Sequence, residues 1–286
     1  AFMTNAPQAE ITPEARMAQN IPIYVINLDR RPDRLERIGD HLRARGVTFI
    51  RHSACDAQSA DAARIDAVIA EYGPLGRLGL GDRACTVSHT EAWAAFLQTD
   101  AQFALFLEDD IYLAADLASV VMTSDWIPRG TEAVKLEKFN EGISKLLLGA
   151  QIGQTSSGRA IHPMRSRHVG GGAYILSRRG AELALSWRGK MRVPIDHFLF
   201  NDTVSPIRRA LAASIIVPAM ATQRAYAYNS DISGLGKAVR PKGWAKTWRK
   251  LKRGSAEINQ APRQIWQWAT GQARIVEVEF AENPPK

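Results

Sequence analysis

The opening of the chain, residues 21–54, constrains its fold most. IPIYVINL, Ile21 to Leu28, is rich in β-branched residues. RRPDRLERIGDHLRARG follows, with Pro32 near a helix start and Gly46 past its end. VTFIRHSA then reads as a second strand. This β-α-β order points to a parallel sheet with crossover helices, hence to an α/β domain. Helical spacing recurs over 59–72 and 82–98, separated by the glycine-rich GPLGRLGLG. FALFL is a third strong strand, and AVKLE (133–137), AYILS (173–177) and ASIIVP (213–218) are further ones. RRGAELALSWR and the stretch after Pro194 read as helices. Between Phe139 and His168 the pattern breaks down into loops or a short hairpin, a candidate substrate-facing flap.

Three regions are expected: a polar lead over 1–20, a catalytic domain over 21–233, and a basic, tryptophan-rich helical segment over 234–286. Ala1 and Phe2 precede Met3 and are left out of the fold with the rest of the lead. No run approaches the ~20 consecutive apolar residues of a membrane span, and the N-terminus lacks a basic-then-apolar pattern, so a cytoplasmic location is expected. Cys55 and Cys85 make no framework and no C-x-x-C pattern. They read as reduced structural thiols, which argues against zinc.

The net charge of +8 is concentrated, because residues 237–253 hold eight Lys or Arg and no acid. Without them, 29 basic residues face 29 acidic ones, so the body is formally neutral and a nucleic-acid-binding surface is disfavoured. Trp244, Trp248 and Leu251 share one helical face amid these charges. That face either lies on an anionic membrane or packs on the domain.

FALFLEDDIYL, Phe103 to Leu113, ends an apolar strand in Glu108, Asp109 and Asp110. Such a cluster either caps the following helix or holds a cation. In open α/β sheets ligands bind beyond the carboxyl ends of strands. Strand one leads there to Asn27, Arg30, Arg31 and Arg34, and strand two to Asp56. The arginines beside a helix start suit a diphosphate, or merely solvate an exposed turn.

YVINLDRRPDRLERI, CTVSHTEAW, ALFLEDDI, GGGAYILSRRGAELAL and VPIDHFLF together resemble glycosyltransferase family 25, the bacterial lipooligosaccharide glycosyltransferases, over Ile21 to Asp231. The resemblance implies a GT-A type (Rossmann-like) nucleotide-sugar-binding domain with a mixed, mostly parallel sheet. It also implies a UDP-galactose donor and inverting transfer to a lipid-linked lipopolysaccharide glycan. On that resemblance EDD is the D-x-D metal motif. Asp110 is then the direct ligand of Mn²⁺ or Mg²⁺, Glu108 contacts donor ribose or the metal shell, and Asp109 is turned differently. Asn27, Arg30, Arg34, Asp56, Ser88, His89, Gly171 and Gly172 join Glu108 and Asp109 as donor-binding candidates. Ser88 and His89 read equally as a helix-start serine and a core histidine, and the glycines as a tight turn. Asp196 is the candidate base for the acceptor hydroxyl, or caps the helix after Pro194. Ala57 stands where family members often have glycine, and Arg83 where an aliphatic residue is frequent. The alternative from another class is a binding protein that kept the fold and lost turnover.

Overall fold

The computed structural model describes residues 20–138, 145–223 and 261–284. The lead before residue 20 and the basic segment 237–253, with Trp244, Trp248 and Leu251, lie outside the described residues.

Eight strands form the central sheet: β1 (Ile23–Asn27), β2 (Ile50–Ser53), β3 (Phe103–Glu108), β4 (Ala133–Lys135), β5 (Gly153–Gln154), β6 (Ala160–Pro163), β7 (Ala173–Ser177) and β8 (Ser214–Val217). Their order is β5-β6-β8-β4-β7-β3-β1-β2. The α/β class and the parallel β-α-β opening are as expected. Parallel pairing is confined to β1 with β2, β1 with β3, and β4 with β8, while the other neighbours run antiparallel. The sheet is therefore mixed without parallel pairing dominating it, because β7 returns against both β3 and β4.

The period-2 pattern of buried strands sends alternate residues to two cores. Tyr24 and Ile26 of β1, Phe106 of β3, and Tyr174 of β7 face Val87, Trp93 and Phe96 of the Leu80–Leu97 helix. Ile23, Val25 and Leu107 face Ile38 and Leu42 of the Pro32–Arg43 helix. The Phe106 ring stacks between Tyr24 and Tyr174, with centroids at 5.5 and 5.4 Å. Burying such a ring contributes about 1.5–3 kcal/mol, and each ring pair about 0.5–1.5 kcal/mol more. This packing fixes the ends of β1 and β3 side by side, with Ile26 opposite Glu108.

Several elements differ from expectation. The 59–72 helix shrinks to Ala62–Asp66, capped by Asp61, whose side chain accepts from Ala63 N at 3.0 Å. Beyond it, Ile69 bridges to Met191 instead of continuing the helix. The VTFIRHSA strand shortens to β2 because it is an exposed edge. Residues 153–163 form the hairpin β5–β6, built into the sheet and not a flap. Lys145–Gly149 pairs antiparallel with Ala273–Glu277. Together with the bonds Ala115 N to Glu282 O (2.8 Å) and Ala219 N to Glu279 O (2.8 Å), this stitches the end of the chain to the body. Within the segment expected to be helical, residues 261–269 are helical but Ala273–Glu277 is a strand. Among the described residues no helix is long and apolar enough to cross a membrane.

Candidate functional site

At the carboxyl ends of β1 and β3 the chain turns into a half-open cleft of about 100 Å³. Arg30, Arg34, Asp56, Ser88, His89, Glu108, Asp109 and Asp110 line it, together with Ala57 and Cys85. Asn27, Gly171, Gly172 and Asp196 lie behind or beside these walls, so the structure gathers most of the sequence candidates but not all in one role.

Asp109 is an anchor. One carboxylate oxygen accepts from Asn27 Nδ2 at 2.7 Å, the other from Arg34 Nη1 at 3.1 Å, and its carbonyl accepts from Arg37. Asn27 also donates to Arg31 O at 2.9 Å and accepts from Arg51 Nε at 3.2 Å, so it clamps the start of the helix to the strand end. Both side chains are turned to the protein's own groups. Arg30 pairs with Asp56 at 2.7 Å on the cleft wall. Ser88 Oγ donates to Ala84 O at 2.9 Å and accepts from Cys55 N at 2.8 Å, pinning the exit of β2 to the helix. It acts as a helix-to-strand pin within the cleft lining. Arg83 is buried, pairs with Asp66 and donates to Ile69 O at 3.1 Å, which holds the turn after the shortened helix.

Glu108 and Asp110 differ from Asp109. Gln223 Nε2 donates to Glu108 Oε2 at 3.2 Å and to Asp110 Oδ1 at 3.4 Å, so these two oxygens converge on one point. Burial pushes the Glu108 carboxyl up to about 8, and the charges of Glu137, Asp109 and Asp196 add to the effect. Burial, then Glu108 and Asp109, push Asp110 up to about 7, against the Arg34 guanidinium, 3.8 Å away. Two carboxylates that repel each other while sharing one neutral amide form a donor set suited to a hard divalent cation. On that chemistry they fit Mn²⁺ or Mg²⁺.

The opposite wall is the glycine turn. Gly170 has φ +95, which only glycine adopts without strain, and its N–H donates to Asp196 Oδ2 at 3.2 Å. Glu108 N donates to Gly172 O at 2.9 Å, and a Cβ on Gly172 would lie 2.4 Å from Ile111 Cδ1. Close backbone approach thus explains Gly172 without a ligand. A Cβ on Gly171 would come to 3.6 Å from Glu108 Oε1 and 3.9 Å from Asp196 Cβ, so Gly171 sits between the two acids. Asp196 is in the first turn of Ile195–Phe200 and accepts from His197 N at 2.7 Å, while the helix has no side-chain N-cap.

Lys135 and Glu137, both fully buried, were missing from the sequence reading. Lys135 Nζ donates to Gly170 O and to Glu137 Oε2 (3.2 Å), which also accepts from Gly172 N at 3.0 Å. They hold the glycine turn from beneath. A signal was present in AVKLE, where Lys135 and Glu137 alternate with Val134 and Leu136 in a run read as buried strand. Gln223 had no local signal.

Residues 20–199 match the sequence model of the family described as "Glycosyltransferase family 25 (LPS biosynthesis protein)". A curated relative from Drosophila pseudoobscura pseudoobscura, "Glycosyltransferase 25 family member", is 24% identical over 200 residues, 66% of this chain. The match spans only 31% of that relative's length. Among solved structures, the "Crystal structure of a glycosyltransferase involved in the glycosylation of the major capsid of PBCV-1" aligns over 83% of this chain and 98% of its own. The TM-score is 0.38 at 10% identity, a likeness too slight to carry argument.

Proposed function

The chain belongs to glycosyltransferase family 25, and from that premise we propose that it transfers a sugar, with inversion, from a nucleotide sugar to a lipid-linked lipopolysaccharide glycan. The observation that carries this reading is the convergence of Glu108 Oε2 and Asp110 Oδ1 in a cleft flanked by Arg30 and Arg34, at the ends of parallel strands. UDP-galactose is the donor implied by the motif resemblance.

In this reading the cleft receives the diphosphate on the arginine side, and Asp56 and the exit of β2 border the nucleoside. A Mn²⁺ or Mg²⁺ ion bound by Glu108 and Asp110 would neutralise the charge that develops on the departing diphosphate. Arg34, already 3.8 Å from Asp110, contributes further positive charge beside it. Asp196, across Gly171 from Glu108, accepts the acceptor hydroxyl's proton, and its bonds to Gly170 N and His197 N fix its carboxylate in one orientation. Asp109 takes no part beyond holding the turn.

The test is a thermal-shift panel of nucleotide sugars with and without Mn²⁺, followed by transfer assays on lipid-linked and protein-linked glycans. A ligand that binds only the native state raises the melting temperature. UDP-galactose is expected to do so in the presence of Mn²⁺, and a lipid-linked glycan to be the acceptor that turns over. Binding without hydrolysis or transfer would favour the inactive binding protein, and no shift with any nucleotide sugar would remove the donor site.

We place the enzyme at the inner face of a bacterial cytoplasmic membrane, held by residues 237–253. Each basic residue near an anionic leaflet contributes about 1 kcal/mol. Vesicle co-sedimentation of the full chain should be salt-sensitive and should fall when Lys242, Lys246, Arg249 and Lys250 are changed to glutamine. Unchanged sedimentation would contradict the membrane role.

A further inference from the structure

We propose that Cys85, His89 and Glu108 form a second, softer metal site, one that takes a zinc-type cation on the helix side of the cleft. Cys85 and His89 lie four residues apart on one face of the Leu80–Leu97 helix, and Glu108 faces them from the end of β3. The three ligand atoms lie within 4.8 Å of one another. Glu108 Oε1 is 3.5 Å from His89 Nε2 and 3.9 Å from Cys85 Sγ. Tetrahedral zinc with bonds of about 2.0–2.3 Å needs ligand separations of about 3.3–3.8 Å. Small side-chain rotations therefore suffice to close the site.

A second observation points to a ligand. His89 is fully buried, and its Nε2 has no hydrogen-bond partner although it is aimed at this cluster. A buried polar nitrogen left unpaired costs about 1–3 kcal/mol. Its other nitrogen is 2.8 Å from Tyr174 Oη, which in turn accepts from Trp93 Nε1 at 2.9 Å. That outer contact fixes the ring plane, as second-shell partners of metal-bound histidines do. On binding, Nδ1 carries the imidazole proton toward Tyr174, Nε2 gives its lone pair to the ion, and the Cys85 thiol proton passes to solvent as the metal–sulfur bond forms.

The site is distinct from the pair that converges on Gln223. Glu108 turns Oε1 to the helix and Oε2 to Gln223, so one carboxylate can serve both. Sulfur and imidazole ligands select zinc, cobalt or similar ions over Mn²⁺ and Mg²⁺. Three protein ligands leave the fourth position facing the cleft. The sequence argument against zinc looked for C-x-x-C, and the C-x-x-x-H spacing on a helix escaped it.

The experiment titrates the metal-free full chain with Co²⁺ alone and reads the near-ultraviolet thiolate-to-cobalt charge-transfer absorption. The band should saturate at one equivalent, with displacement by Zn²⁺ but not by equal Mn²⁺. The band should persist in Cys55→Ser and Asp110→Asn and vanish in folded Cys85→Ser. If the last variant does not fold, zinc-edge absorption of the Cys55→Ser protein decides: a sulfur neighbour at about 2.3 Å supports the site and an all-oxygen-and-nitrogen shell overturns it. Absence of the band in the unmodified chain, its survival in Cys85→Ser, or its loss in Asp110→Asn would likewise overturn the proposal. None of these outcomes depends on sugar transfer, so the proposed activity stands or falls separately.

Discussion

The two sides of the cleft use the same residue type to opposite ends. On the side of the Pro32–Arg43 helix, Asp109 and Asp56 each meet a guanidinium at 2.7–3.1 Å. Toward the glycine turn, Glu108, Asp110, Glu137 and Asp196 gather with Lys135 between Glu137 and Gly170, and the first two are pushed up to about 8 and 7. A carboxylate neutralised by a guanidinium in direct contact is an anchor. One held among its own kind stays available to bind a cation or move a proton. Three adjacent acids in EDD thus divide into one held by Asn27 and Arg34 and two that converge on Gln223.

The largest expected effect lies on the glycine side. Asp196→Asn should keep donor affinity and lose about 10²–10⁴ in turnover, because an amide keeps the side chain's size and one of its two backbone N–H bonds but accepts no proton. Transfer within a few fold of normal would make Asp196 a turn-holder and move the base elsewhere. The matching change on the arginine side, Asp109→Ala, should cost about 3–5 kcal/mol in urea unfolding, since it leaves Arg34 buried without its closest carboxylate. A loss under 1 kcal/mol would erase the contrast between the two sides.

Asp110→Asn should do the reverse, and the sign depends on pH. With its folded value raised to about 7, wild-type Asp110 keeps a proton that the unfolded chain releases, so stability falls as pH rises from about 4 through 7. The asparagine variant lacks that loss. In chelator, its melting temperature should exceed wild type by about 2–4 °C more at pH 8 than at pH 5. Equal differences at both pH values would mean that Asp110 is not held among uncompensated charges. The smallest effect is expected of Arg77→Ala, which removes a surface pair with Glu71 and should change stability by about 0–1 kcal/mol.

The parts legible in the sequence were those with a local physical signature. Tyr24 and Ile26 against Ile23 and Val25 announce a strand buried on both faces, and Glu108 and Asp110 announce charge at the end of the neighbouring β3. Asp61 and Arg83 show where local signals mislead: the first caps a helix much shorter than its apolar spacing suggested, and the second ties that helix's end to a neighbour. The pairing of Lys145–Gly149 with Ala273–Glu277 joins segments far apart in the chain, and no local pattern encodes it. That Asp109 turns differently from Asp110 was legible, but its partners Asn27 and Arg34 were not, because they reach it only through the fold.

The central claim is that Glu108 and Asp110 hold the cation that binds the donor's diphosphate. Calorimetric titration of UDP into the chain, with and without Mn²⁺, tests it most directly when wild type is compared with Asp110→Ala. The account predicts Mn²⁺-dependent UDP binding in wild type and at least about tenfold weaker binding in the folded variant, a difference of about 1.4 kcal/mol or more. Undiminished Mn²⁺-dependent UDP affinity in folded Asp110→Ala would contradict it.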